Sequence, residues 1–567
     1  MRKTQKSICI LLCAALMLLC LPGIAGTAEE LRLPVSVYRD KVQAAWLGKL
    51  VGVSVGILRE FWYKGEIAPE DQVPKWNESL LSLASIEDDI YIPFVLLQQL
   101  DGKGIDITAR EMAIALYPYS FEFWDGHQRT FEAGIAPPDA GHPVHAPFPD
   151  GLSYSFAADY SGLIAPGRPD IPMELADRFG SMLVYGDGIY GGAYIGAMYS
   201  EAFFQPDIKA IVEKALQAVP GDSWLHESIS DVLESYESDP ADWQAAWQKI
   251  TEKYFLDPTY NWIEWPYGGR TEGINLDAKL NCAYLTIALL YGGGDIEKTL
   301  NIAIRSGQDC DCNAANALGV LFAVIGYENL PQTYKNPLKT FPPIRYADAD
   351  FQELCAVTER VARNALSKAG ASFVTENGEE LMVIPTVKAE PGSYLSSKSP
   401  APLENSLFTQ AEMERLGRPQ LMDGGFEDDW HDAIHLPWML LGSGTGGVDM
   451  RQGKAYNGKN NAWISAGNGQ TVGLCQNRVM VEPNTAYSLT AAIRSSGNVK
   501  DGYIQVVQSG SGKVIAKTAF GAQKSYGVIT LPFDPGEATY VDVQIGYTGP
   551  GASSWMQIDE VTLGKAE

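Results

Sequence analysis

Two stretches decide how this chain folds: Ser85–Leu100, SIEDDIYIPFVLLQQL, and Ser306–Phe322, SGQDCDCNAANALGVLF. Each opens on clustered acids, Glu87–Asp88–Asp89 in one and Asp309–Cys310–Asp311–Cys312–Asn313 in the other. Each then runs into an apolar segment long enough for a buried helix. Pro93 suits the first turn of the first helix, where its missing N–H is not needed. One aspartate is enough to cap a helix and to meet the positive end of its dipole. Two or three acids at the end of an apolar helix exceed that need. Held together in a partly buried place they repel, unless a proton or a cation intervenes. Two such clusters facing each other make an oxygen-rich site for a hard cation such as Mg²⁺. Adjacent acids on a regular helix diverge, so each cluster is expected on the turn that starts its helix.

Outward from these motifs, residues from about 35 to 370 read as helical. Val35–Gly56 carries Gly48, Gly52 and Gly56 four apart, a flat stripe that another helix can approach closely. Gly192, Gly196 and Ser200 repeat the spacing. Long Gly/Pro/His loops intervene, above all His127–Pro172, and loops of that length are more often functional than idle. Thr375–Pro419 contains SYLSSKSPAPLENS and reads as a domain end plus linker. From Gln420 short strand-like runs follow at intervals of about ten residues, the spacing of a β-sandwich or jelly roll. The expected organisation is therefore multi-domain: residues 29–374 an α domain, 375–419 a domain end and linker, and 420–567 a β domain.

Residues 1–28 stand apart. Arg2, Lys3 and Lys6 precede the apolar run Ile8–Leu21, and Gly23, Ala25, Gly26 and Ala28 close it. That layout is expected of a cleaved signal peptide, and hence of a secreted protein. No later apolar run approaches a membrane span. Acids outnumber Lys plus Arg by 69 to 43, a net charge of −26, which excludes a protein that neutralises nucleic-acid phosphates or anionic lipid. Beyond the signal the cysteines are Cys282, Cys310, Cys312, Cys355 and Cys475, too few and too odd for a disulfide framework. HExxH and P-loop patterns are absent from the sequence.

From Val42 to about Tyr327 the chain resembles the ADP-ribosylglycohydrolase family. WLGKLVGVSVGILREF looks like that family's Gly-rich first helix ending in a glutamate, and Glu87–Asp89 like its first metal motif. YGDGIYGGAYIGAMYSEAF looks like its central Gly-rich helix. Tyr291–Tyr327 resembles its closing motif, normally Gly-x-Asp-Thr-Asp-Thr/Ser/Cys-Asn-Ala. The resemblance implies an all-α bundle with one or two Mg²⁺ ions between the clusters, orienting a ribosyl group whose glycosidic bond is hydrolysed. By match Asp88, Asp89, Asp309 and Asp311 are metal ligands. Glu87 stands in the place of a hydroxyl ligand, Cys312 where Thr, Ser or Cys occurs, and Cys310 in place of a Thr. Glu60 matches the early glutamate near the catalytic centre, so Glu60 and Asp311 are the expected catalytic residues. Trp62, Asp187, Tyr190 and Asn313 are candidate substrate contacts. Each has a structural alternative, as core, turn or hydrogen-bonding residue.

The C-terminal region resembles galactose-binding-like carbohydrate-binding modules through MDGGFEDDW, VEPNTAYSLTAAIRSSG and MQIDEVTL. That resemblance implies a structural Ca²⁺ shared by Glu427 and Asp559. Trp430, Trp438 and Trp463 are candidates for a sugar platform or for the sandwich core. The functional expectation is a secreted, metal-assisted glycoside hydrolase acting on carbohydrate, a furanosyl or ribosyl bond included. The alternatives are an ADP-ribosyl hydrolase, acting on ADP-ribosylated protein or small molecules, and a non-catalytic glycan-binding protein.

Overall fold

The computed structural model describes residues 30–119, 124–263, 273–346, 349–416, 421–427, 434, 438–550 and 554–566. The expected signal segment and Trp430 lie outside the described residues. Five helices organise the first domain: α1 (Val35–Gly56), α2 (Asp88–Lys103), α3 (Asp187–Ala202), α4 (Ala278–Gly292) and α5 (Cys310–Ile325). Every residue of α4 is buried, as are nearly all of α3 and α5 and α1 from Ala44 onward. Helices apolar all round belong at the centre of a bundle, and these form it.

The glycine stripe on α1 fixes how that centre packs. A Cβ on Gly48 would meet the Leu318 carbonyl oxygen at 2.3 Å, and one on Gly52 the Ala314 oxygen at 2.4 Å. One on Gly56 would meet the Asp311 Cα at 2.3 Å. Any side chain along this face would therefore drive α5 away. The stripe ends level with the second acidic cluster.

The bundle also carries a small sheet. β1 (Glu30–Pro34) pairs antiparallel with β3 (Glu379–Pro385), which pairs with β2 (Ser372–Glu376). Asn377 and Gly378, both at positive φ, turn β2 into β3, as the Asn-Gly dipeptide of a tight hairpin demands. The stretch 375–419, expected to close the domain and lead on as a linker, does more than span a gap. After β3 it runs as a strap over the helical domain. Ala401 N–H donates to the Tyr185 hydroxyl at 3.0 Å, and the Asp139 carboxylate accepts from Glu404 N–H and Ser406 N–H at 3.0 and 2.8 Å. Phe408 is buried against Phe131, and Arg110 holds Glu412. Serine and proline suit it because its backbone polar groups are met by side chains and loop backbone of the helical domain rather than by a regular sheet.

The second domain is a sandwich of two five-stranded antiparallel sheets. One orders β10 (Val514–Phe520), β9 (Gly502–Gln508), β12 (Tyr540–Thr548), β7 (Thr471–Met480) and β4 (Trp438–Gly442). The other orders β11 (Gly527–Phe533), β8 (Tyr487–Ser495), β13 (Ser554–Lys565), β6 (Asn461–Ala466) and β5 (Thr445–Asp449). Alternate residues such as Leu489, Ala491, Ile493 and Val541, Val543, Ile545 point inward to a core separate from the helical one. No helix among the described residues is long and apolar enough to cross a membrane.

Candidate active site

The turn into α5 sets the geometry. Asp309 caps the helix, its Oδ1 accepting from Cys312 N–H at 3.3 Å. Just before it, Gly307 and Gln308 take positive φ, which bends the chain sharply. Phe61 N–H donates to the Gln308 carbonyl at 3.0 Å, and Gln308 N–H donates to the Tyr63 carbonyl at 2.8 Å. Phe61 is itself at a φ of 56°, a conformation costly to a bulky residue and held here by this exchange. The exchange delivers Glu60: its carboxylate and those of Asp309 and Asp311 present oxygens within 4.8 Å of one another. From the other side α2 delivers Asp89, whose ligand atom lies within the same distance of those of Asp311 and Cys312. Asp311 belongs to both groups.

These acids are out of water. Asp89, Asp309 and Asp311 are buried, and both Asp89 oxygens and Asp311 Oδ1 make no hydrogen bond. Burial pushes Asp89 up to about 6, with Lys49 opposing it. Burial likewise pushes Asp309 up to about 6. Burial, then the charges of Glu60 and Asp309, drive Asp311 well above the carboxylate range. A buried oxygen-rich group with unmet acceptors is the donor set a hard divalent cation requires, so the residues fit Mg²⁺.

Two further residues of this centre escape a motif-based reading. Lys49 on α1 is wholly buried, 2.7 Å from Asp159 Oδ2 and 3.4 Å from Asp89 Oδ1. The sequence signal is that Lys49 is the one charged residue between Ala44 and Gly56. Asp159 lies in the stretch His127–Pro172, expected to be a loop, where it opens the short helix Asp159–Leu163 instead.

The other expected residues distribute as follows. Asp88 is half-buried, near enough for its charge to raise Asp309. Glu87 sits at the cap of α2, its carbonyl accepting from Ile90 and Tyr91 N–H, and belongs to neither ligand group. Trp62 is 64% exposed beside the site, with the Arg59 guanidinium 4.6 Å from its ring centre. Asn313 is buried and donates to Asn281 Oδ1 at 3.0 Å. Asn281 in turn donates to the carbonyls of Asn275 and Asp277. This amide chain braces the α5 turn, since Asn275 N–H also donates to Gln308 Oε1 at 2.8 Å.

Asp187 and Tyr190, expected at the substrate, bond to the strap and, for Asp187, to Leu225 as well. Asp187 accepts from Leu225 N–H at 3.0 Å and from the Tyr394 hydroxyl at 3.3 Å. The Tyr190 hydroxyl accepts from Leu395 N–H at 2.8 Å. They belong to a second buried cluster, in which Lys279 pairs with Asp277 and, at 3.8 Å, Asp150, while Ser397 of the strap donates to Asp150. In the sandwich, Glu427 accepts from Lys459 and Asn460 N–H, and Asp559 from Tyr456 and Asn457 N–H, so both hold one loop. Trp438 is core, its indole N–H spent on the Asp423 carbonyl, and Trp463 is half-buried.

A family model described as ADP-ribosylglycohydrolase matches residues 34–368. No curated protein matches the chain. Among solved structures the chain is similar to one titled "ADP-ribosylglycohydrolase-related protein complex", at 16% identity and a TM-score of 0.36, covering 58% of this chain and 99% of that one. It is also similar to TmCBM61 in complex with beta-1,4-galactotriose, at 17% identity and a TM-score of 0.22, over 26% of this chain and 99% of that one. A third is titled "Family 16 Carbohydrate Binding Module-2", at 15% identity and a TM-score of 0.19, over 26% and 99%. Because the family match takes in Glu60 and both acidic clusters and spans more than half of the chain, the protein belongs to the ADP-ribosylglycohydrolase family.

Proposed function

We propose that this chain, a glycosyl-bond hydrolase by family, is a secreted enzyme that cleaves the glycosidic bond of a carbohydrate substrate with the help of Mg²⁺. The observation that carries the reading is the convergence of Glu60, Asp309 and Asp311 with an unmet buried oxygen on Asp311. Asp309 and Asp311 would hold the ion, which when bound supplies Lewis acidity to orient sugar hydroxyls and water. Glu60, half-buried at the edge of the group, takes a proton from water or gives one to the leaving group. Trp62 offers a flat exposed face beside it for a sugar ring. The export layout of residues 1–28 supports secretion. A Ca²⁺ held by Glu427 and Asp559 belongs to the same reading, supported by their meeting on the loop 456–460.

One observation favours a second reading, an ADP-ribosyl hydrolase. Arg345 is exposed, its N–H donates to the Ser85 carbonyl at 2.8 Å, and its guanidinium lies 4.8 Å from the Tyr346 ring centre and 5.9 Å from that of Tyr91. A cation and two aromatic rings packed edge to face beside the first acidic cluster suit a nucleoside pyrophosphate. A panel of aryl glycosides and ADP-ribosyl substrates, with and without Mg²⁺, separates the two. Mg²⁺-dependent release of aglycone from a glycoside, unaffected by Arg345→Ala, supports the first. Cleavage confined to ADP-ribosyl compounds and lost in Arg345→Ala supports the second. Cleavage of neither leaves the glycan-binding alternative.

A further inference from the structure

Lys49 lies inside the glycine stripe of α1 and has no exposed surface. Its ammonium carries three N–H groups and no acceptor. It donates to the Phe156 carbonyl at 2.7 Å and forms ion pairs with Asp159 Oδ2 at 2.7 Å and Asp89 Oδ1 at 3.4 Å. This is a fixed positive charge shared by two buried carboxylates. It stands on only one side of the site. On the other, Glu60, Asp309 and Asp311 offer oxygens alone, and Asp311 Oδ1 is buried without a hydrogen bond.

The two ligand groups that share Asp311 are therefore unequal. The Asp89 side contains the sulfur of Cys312, a soft ligand that Mg²⁺ does not seek. It also faces Lys49, which repels a divalent ion brought onto Asp89. Resting on the reading of this site as a metal centre, we propose that Lys49 stands in for one cation: it neutralises Asp89 and Asp159 from within the fold, and the site takes a single divalent ion on the Asp309–Asp311 side. Asp89 is then the ion-pair partner of Lys49 rather than a ligand.

Metal-free full-length protein titrated with Mn²⁺ tests this, with bound ions counted by equilibrium dialysis and their coupling read by electron paramagnetic resonance. The expected result is one uncoupled ion per chain. Lys49→Met, shown to be folded by circular dichroism, should take a second ion and show a coupled signal. Asp309→Asn should weaken the wild-type ion at least ten-fold, and Asp89→Asn less than three-fold. Two coupled ions in the wild type overturn the inference and leave the metal centre standing, whereas no ion in the wild type overturns both. A folded Lys49→Met that still holds one ion also overturns it. Should that variant not fold, a ten-fold or greater loss in Asp89→Asn does the same.

Discussion

Gly56 meets Asp311 backbone to backbone: a Cβ on the glycine would stand 2.3 Å from the aspartate Cα. The last turn of α1 thus sets the position of the residue common to both ligand groups. Gly56→Ala should push the start of α5 outward, with a destabilisation of about 1–3 kcal/mol, typical of overpacking. Mn²⁺ affinity should fall ten-fold or more. Gly48→Ala, whose Cβ would meet Leu318 O at the same 2.3 Å but two turns away, serves as the control. It should cost similar stability in thermal melts and much less metal affinity. Equal loss of affinity in both variants would refute a local effect.

The acidic clusters and the glycine stripe were legible in the sequence because each is a spacing rule, and such rules survive folding. Residues whose roles depend on partners remote in sequence were not. Lys49 meets Asp159 across 110 positions, and no local pattern announces that pairing. Asp187 and Tyr190 looked like site residues because they open a Gly-rich helix, yet their polar atoms go to Tyr394 and Leu395 of the strap. Asn377–Gly378 is a hairpin signal hidden by the Ser/Pro-rich stretch that follows. The runs Trp438–Gly442 and Thr445–Asp449 read weakly as strands because glycine and methionine replace β-branched residues, and neighbours in each sheet define them.

Burial, then the charge of Asp150, pushes Asp187 up to about 7. Its folded pKa thus exceeds the unfolded value of 3.8, and the folded state holds the extra proton between them. Stability from this group is present below about pH 4 and is lost as pH rises towards 7. Asp187→Asn keeps an acceptor for Leu225 N–H and has no such proton. Relative to the wild type, the variant should gain about 1–3 kcal/mol between pH 4 and pH 7.5. Urea melts at the two pH values measure it, and a constant difference would contradict the assignment.

The strap should be needed by the helical domain. A fragment of residues 29–374 lacks β3, Phe408 and the strap groups that meet Asp139, Asp187 and Tyr190. A fragment of residues 29–416 keeps them. The longer one should melt cooperatively and at least 5 °C higher, since several buried hydrogen bonds and one aromatic side chain are at stake. Equal melting temperatures would show the strap to be a passive connector.

Turnover by Asp311→Ala and Glu60→Gln on an identified glycosidic substrate tests the central claim. Asp311→Ala removes the residue shared by both ligand groups and should lower metal affinity and kcat together, kcat by a hundred-fold or more. Glu60→Gln should lower kcat at least as far while the protein still binds metal within ten-fold of wild type, because its part is the proton. Wild-type kcat in both variants, with metal content unchanged in Asp311→Ala, would contradict the account.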